Sequence, residues 1–112
     1  MTVDEEWLIL ENIDTQTSKF PATALLDGEH ITIFKSKTGF HAIQRRCPHK
    51  GADLSLAGSA GKFNNQTVIR CALHGIEFRA SDGKSINYPG VDATVYETEE
   101  EDNQLKVRKA VI

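Results

Sequence analysis

Cys47 and His49 stand two residues apart in "RRCPHKGADLSL" (45–56), and Cys71 and His74 stand three apart in "IRCALHGIEF" (69–78); the chain has no other cysteine. Two thiolates and two imidazoles make a metal-ligand set of soft and borderline donors. The set suits a tetrahedral structural zinc, and it also suits a binuclear iron–sulfur centre. Spacing bears on the choice. In Cys-x-His the side chains point apart rather than converging as in a Cys-x-x-Cys zinc knuckle, so one loop can give its cysteine to one metal and its histidine to another. Two such loops face to face would build a binuclear site. The alternatives that stay open are zinc and cysteines that merely fill a core. A disulfide framework normally uses more cysteine and an export signal. His30 and His41 have no cysteine nearby and are read as ordinary surface or hydrogen-bonded histidines.

The elements that must position these loops are short β-like runs punctuated by turn residues, with no sustained helical periodicity. Strands are expected at Trp7 to Glu11, Thr23 to Leu26, His30 to Lys35, Phe40 to Gln44, Thr67 to Cys71, Ile76 to Arg79, Val91 to Thr98 and Gln104 to Lys109. Turns fall at Asp27-Gly28, Lys37-Thr38-Gly39, Asp82-Gly83 and Glu101-Asp102-Asn103, which predicts antiparallel hairpins. Ile31 and Ile33 alternate only loosely with Thr32 and Phe34, so the pattern leaves the buried face of that strand open. A short helical turn is expected within Asn12 to Pro21. The stretch "AGSAGKFNNQ" (57–66) is expected to be loop. Cys47 and His49 then follow a strand, in a loop stiffened by Pro48 and freed by Gly51, while Cys71 ends a strand and His74-Gly75 turn into the next.

The 112 residues predict a single domain, 1–112, with a modest core to which a bound cofactor would matter. A net charge of −3 and ordinary hydrophobic and charged fractions favour neither nucleic acid nor an anionic membrane as partner. The start, "MTVDEEWLILEN", is acidic, without a basic n-region or a long apolar run, which predicts a cytoplasmic location.

"CPHKGADL" and "CALHGIEF", followed by "DGK", resemble the two cluster-binding loops of Rieske-type ferredoxins, of the Rieske domains of ring-hydroxylating dioxygenases and of nitrite reductase small subunits. The resemblance runs from about Trp7 to the C-terminus. It implies a small antiparallel all-β domain with two cluster-binding loops, about 45–56 and 70–79, at one tip. It implies one [2Fe-2S] cluster with Cys47 and Cys71 on one iron and His49 and His74 on the other, the histidines ligating through Nδ1 and keeping Nε2 near solvent. The implied function is electron transfer, from a flavin reductase to an oxygenase or another acceptor, with no catalytic residues of the chain's own. A small Rieske subunit held in a larger oxidoreductase such as nitrite reductase is the alternative, and a zinc-stabilised interaction module a remote one.

Departures from the resemblance carry information. The respiratory Rieske proteins have an extra cysteine in each loop and hydroxyl donors from a serine and a tyrosine. Here Gly51-Ala52 and Ala72 offer no thiol, and the hydroxyl positions fall on Ile76 and Phe78. Hydrogen bonds to sulfur favour the more negative, reduced cluster, so their loss implies a low potential within the Rieske range. The spacer Lys50 to Arg70 is 21 residues, longer than usual for the family, and is read as a surface insertion within Ala57 to Gln66. Arg45, Arg46 and Lys50 flank the first loop and are read either as a solvated cationic rim or as charges that steer an acidic partner or support a more positive potential; the run Glu97 to Asp102 is read as a solvated face, and otherwise as the place to dock a basic reductase.

Overall fold

The computed structural model describes residues 7–37, 39–73 and 75–109. Nine strands run β1 (Leu8–Asp14), β2 (Ala22–Leu26), β3 (Glu29–Ser36), β4 (Gly39–Gln44), β5 (Gly58–Phe63), β6 (Gln66–Cys71), β7 (Ile76–Arg79), β8 (Val95–Glu101) and β9 (Gln104–Lys109), with one helical turn, α1 (Leu54–Ala57), before β5. They form a six-stranded sheet in the order β1-β9-β8-β4-β3-β2 and a three-stranded sheet in the order β5-β6-β7, antiparallel throughout. The Asn12 side chain of β1 donates to the Thr23 carbonyl of β2 at 3.1 Å, so the large sheet curls until its two edge strands meet. The expected all-β antiparallel architecture is the one found.

Two cores follow from this arrangement. Leu10, Leu26, Ile31, Ile33, Leu105 and Val107 fill the inside of the curled sheet. Phe34, Ile43, Leu54, Ile69, Ile76, Phe78 and Val95 fill a second core, and Cys47 and Cys71 belong to it. Strand β3 lies between them. Ile31 and Ile33 face the first core while Phe34 faces the second, and Thr32 is fully enclosed. The loose alternation in its sequence is that of a strand buried on both faces.

The stretch expected to be loop is a strand, although most of it is exposed. Residues Gly58 to Phe63 pair in register with Gln66 to Cys71, and Asn64-Asn65, both at positive φ, make the tight turn. Glycine, serine and alanine are weak strand formers, and pairing rather than propensity makes β5. Gly58 is there for close approach: a Cβ would lie 2.6 Å from the Leu54 carbonyl and 2.9 Å from the Phe34 ring.

Other boundaries shift. β1 continues to Asp14, whose carboxylate then accepts from the Gln16 and Thr17 amides, a single turn where a helical one was expected. β8 begins at Val95, not Val91; residues 91–94 are held instead by bonds from Ala93 to the Gly83 carbonyl and from Thr94 to the Gln44 side chain. The acidic run lies mostly along β8, and Asp102-Asn103 make the turn. Residues 1–6, Thr38 of the expected 37–39 turn and the last three residues lie outside the described residues. Among the described residues no helix is long and apolar enough to cross a membrane.

Candidate metal centre

The first loop leaves β4 as a narrow excursion. The Arg45 amide donates to the His30 carbonyl, Leu54 to Arg45 and Cys47 to Ala52, so the two sides of the loop run side by side. At its head the Gly51 amide returns to the Cys47 carbonyl at 2.8 Å. Gly51 takes φ +76°, the left-handed conformation that closes the turn. The second loop repeats the device: the Gly75 amide returns to the Cys71 carbonyl at 2.9 Å, with Gly75 at φ +66°. Cysteine and glycine four apart thus make the same turn twice. The first loop is braced from behind by Asp53, which pairs with Arg45 at 2.9 Å and accepts from the Ser55 amide at 2.9 Å and the Ser55 hydroxyl at 2.6 Å, capping α1. Arg46 donates to the Gly51 carbonyl at 3.1 Å.

Both thiols are buried, Cys47 at 2% exposure and Cys71 at 1%, and neither is in a disulfide. They lie beside each other. Burial pushes the Cys47 thiol up; the His49 amide, directed at its sulfur, works the other way, the neighbouring Cys71 thiol adds to the rise, and the Lys50 amide again opposes it. The His49 ring is half-buried with Nδ1 enclosed, and its Nε2 lies 3.2 Å from the Tyr88 hydroxyl, the two ring centroids 4.7 Å apart. Nδ1 thus faces inward, and Nε2 meets the tyrosine hydroxyl at an exposed contact. His74 lies outside the described residues, and among those described no three metal-ligating side chains converge.

A third loop, absent from the expected site, closes over the other two. It is anchored at Gly83, whose amide donates to the Arg79 carbonyl and whose carbonyl accepts from Ala93. Asn87 then bridges the second loop, donating to the Gly75 carbonyl at 2.8 Å and accepting from the Glu77 amide at 3.0 Å. Tyr88, its amide held by the Ser85 hydroxyl at 2.8 Å, carries its ring over His49. The sequence signal for this loop was Pro89-Gly90 after an asparagine and a tyrosine, which reads only as a turn. Ile76 and Phe78 are at 1% and 0% exposure in the same core as both cysteines, so the hydroxyl positions are lined with hydrocarbon. His30 is exposed, and His41 bonds the Ser36 hydroxyl at 2.7 Å while burial lowers its pKa.

The chemistry of these donors fits an iron–sulfur group. Two adjacent thiols sit in an apolar core, backbone amides point at a sulfur, and an imidazole nitrogen is turned inward, an arrangement that suits thiolate ligands shielded from water.

The Asp53 brace carries a prediction. Its hydrogen bond to Arg45, and then that to Ser55, hold its carboxyl far below the usual carboxylate range. A depressed folded-state pKa gives stability that is present above the unfolded value near 4 and lost as pH falls below it. Asp53→Ala therefore costs about 1 kcal/mol at neutral pH, the usual worth of a helix N-cap, and the gap between variant and wild type narrows below about pH 4. Urea unfolding of both proteins from pH 7 down to pH 3 measures it; a gap that stays constant would contradict the ionised brace.

Comparison with known proteins agrees with this arrangement. Residues 6–107 match the family model of the Rieske [2Fe-2S] domain. The chain is 36% identical over 63 residues to the cholesterol 7-desaturase nvd of Drosophila melanogaster, covering 55% of this chain and 14% of that protein. It is 30% identical over 96 residues to the oxygenase component of chloroacetanilide N-alkylformylase from Rhizorhabdus wittichii, covering 85% of this chain and 26% of that protein. The chain thus spans about a quarter or less of the length of these relatives. Among solved structures, a Mycobacterium tuberculosis protein assigned as the small subunit of NADH-dependent nitrite reductase superposes with TM-score 0.82 at 20% identity, covering 98% of this chain and 100% of that one. The ferredoxin of carbazole 1,9a-dioxygenase from Nocardioides aromaticivorans superposes with TM-score 0.70 at 20% identity, covering 93% and 98%. The chain belongs to the Rieske [2Fe-2S] domain family, whose members bind a [2Fe-2S] cluster.

Proposed function

We propose that residues 1–112 act as one electron-carrying domain whose cluster is held by Cys47 and Cys71 on one iron and His49 and His74 on the other. The observation that carries this reading is the repeated turn: Cys47-to-Gly51 and Cys71-to-Gly75 close alike and bring two buried thiols together. Bound there, the cluster supplies a one-electron couple. The chain's own residues do the rest. Ile76, Phe78 and Leu54 keep water from the thiols, the His49 amide is directed at the Cys47 sulfur, and Asn87 and Tyr88 hold the third loop over the site. The carrier has no catalytic residues of its own; it takes electrons from a reductase and passes them to an oxygenase or other acceptor. The second reading, a small subunit within a larger oxidoreductase, is supported by the similarity of the fold to a nitrite reductase small subunit.

Hydrocarbon at Ile76 and Phe78 supports a potential near the lower end of the Rieske span of roughly −150 to +300 mV. Redox titration of the wild type and of Ile76→Ser tests this. The serine hydroxyl, beside the sulfurs, raises the potential by stabilising the reduced state. A wild-type midpoint near the top of the range, or a lowered potential in the variant, would overturn the low-potential assignment.

A further inference from the structure

Two adjacent residues of the third loop touch both cysteine turns. Asn87 donates to the Gly75 carbonyl of the second turn at 2.8 Å and accepts from the Glu77 amide at 3.0 Å, while Tyr88 places its hydroxyl 3.2 Å from Nε2 of His49 on the first. One dipeptide thus ties the two loops together.

The tyrosine is held for this contact. Its amide donates to the Ser85 hydroxyl at 2.8 Å, its carbonyl accepts from the Val91 amide at 3.3 Å, and the Ser85 amide is itself fixed by the Asp92 carboxylate at 3.1 Å. Its ring lies against the imidazole, the centroids 4.7 Å apart and the planes tilted by 56°. A tyrosine that stays 42% exposed, yet is bonded at its amide, its carbonyl and its hydroxyl, is not there to fill a core.

The direction of the hydroxyl contact follows from the chemistry of the ring. Nδ1 of His49 is enclosed, and Nε2 is the nitrogen that meets the tyrosine. An imidazole that ligates a metal through Nδ1 carries its proton on Nε2, so Nε2 donates and the tyrosine oxygen accepts. An acceptor on that N–H fixes the orientation of the ring and raises the basicity of Nδ1. A more basic ligand favours the oxidised, more positive iron.

We propose that Tyr88 is a positioning residue for His49, its hydroxyl holding the imidazole with Nδ1 inward and lowering the reduction potential of the bound cluster. The proposal deepens the reading of His49 as an iron ligand and rests on it. Ile76 and Phe78 withhold hydrogen bonds from sulfur, and Tyr88 supplies one at the imidazole, so the two devices act in the same direction.

Redox titration and pulsed EPR of the loaded protein, at one fixed pH, test this on wild type, Tyr88→Phe and Ser85→Ala. Phenylalanine keeps a ring beside His49 and removes only the accepting oxygen. The midpoint of Tyr88→Phe is expected to rise so that reduction is favoured roughly threefold, equivalent to about 30 mV for a one-electron couple, and the hyperfine couplings of the histidine nitrogens are expected to change with it. Ser85→Ala retains the hydroxyl but frees the Tyr88 amide. It is expected to broaden the EPR lines, as the imidazole samples more orientations, and to raise the midpoint by less. A tyrosine that only covers the site would give way to phenylalanine with no change in midpoint or couplings; that result, or a lowered midpoint, would overturn the proposal. The iron content and reduced EPR signal of the wild type read the ligand assignment separately. Their absence counts against the proposed function, whereas intact signals with identical midpoints in all three chains count against Tyr88 alone.

Discussion

Cys47→Ser is expected to abolish the visible absorbance of the purified protein, to leave it without bound iron and to lower its unfolding free energy by at least about 4 kcal/mol, the linkage due to a group held a thousandfold above its dissociation constant. Cys47 is 2% exposed and belongs to the core that contains Leu54, Ile69, Ile76 and Phe78. Serine is nearly isosteric but a poor ligand for iron, and its hydroxyl would be enclosed by hydrocarbon, a further cost of about 1–3 kcal/mol if unpaired. The turn itself survives, because the Gly51 amide bonds the backbone carbonyl of residue 47 and not its side chain. Iron per chain, the visible spectrum and a thermal melt measure the effect together. A Cys47→Ser protein with native colour would remove Cys47 from the ligand set.

Gly83→Ala should have an effect of similar size through packing alone. Gly83 sits at φ +78°, and a Cβ there would lie 1.9 Å from the Ala93 carbonyl oxygen and 3.3 Å from a Val95 methyl. The left-handed conformation costs a residue with a Cβ roughly 1–2 kcal/mol. Overpacking adds about 1–3 kcal/mol, and the backbone on the other side of the contact can yield only by giving up the Ala93-to-Gly83 hydrogen bond. The expected loss is therefore about 2–5 kcal/mol. It falls on the loop that carries Asn87 and Tyr88. Denaturant unfolding gives the stability, and amide exchange at residues 84–93 shows whether the third loop has loosened. Unchanged stability would mean that the loop shifts freely and does not clamp the second cysteine turn.

The cysteine turns were legible in the sequence because they are local. A cysteine followed four residues later by glycine closes through one backbone bond and one left-handed residue, and both are written within five positions. Most strands were legible for a similar reason, since hairpins with Asp-Gly or Asp-Asn turns leave a short-range signature. What could not be read depends on partners distant in the chain. β5 is a strand because β6 pairs with it, although Gly58, Ser59 and Gly61 favour no such thing. β3 loses its alternation because two cores press on it from opposite faces. Asn87 and Tyr88 reach Gly75 and His49 across 12 and 39 residues, and nothing in their immediate neighbourhood marks those contacts. The Ile76 and Phe78 positions were legible only by contrast with proteins that place hydroxyls there. Their burial beside both cysteines gives that contrast a physical content.

The most direct measurement is the EPR spectrum of the purified, dithionite-reduced chain, taken together with its iron and zinc content. The expected result is a coloured protein with two irons per chain and a rhombic signal whose average g lies below the free-electron value, the mark of a cluster with unlike ligands on its two irons. A colourless chain with stoichiometric zinc, or a reduced signal typical of four thiolate ligands, would contradict the assignment of Cys47, His49, Cys71 and His74 to a Rieske cluster.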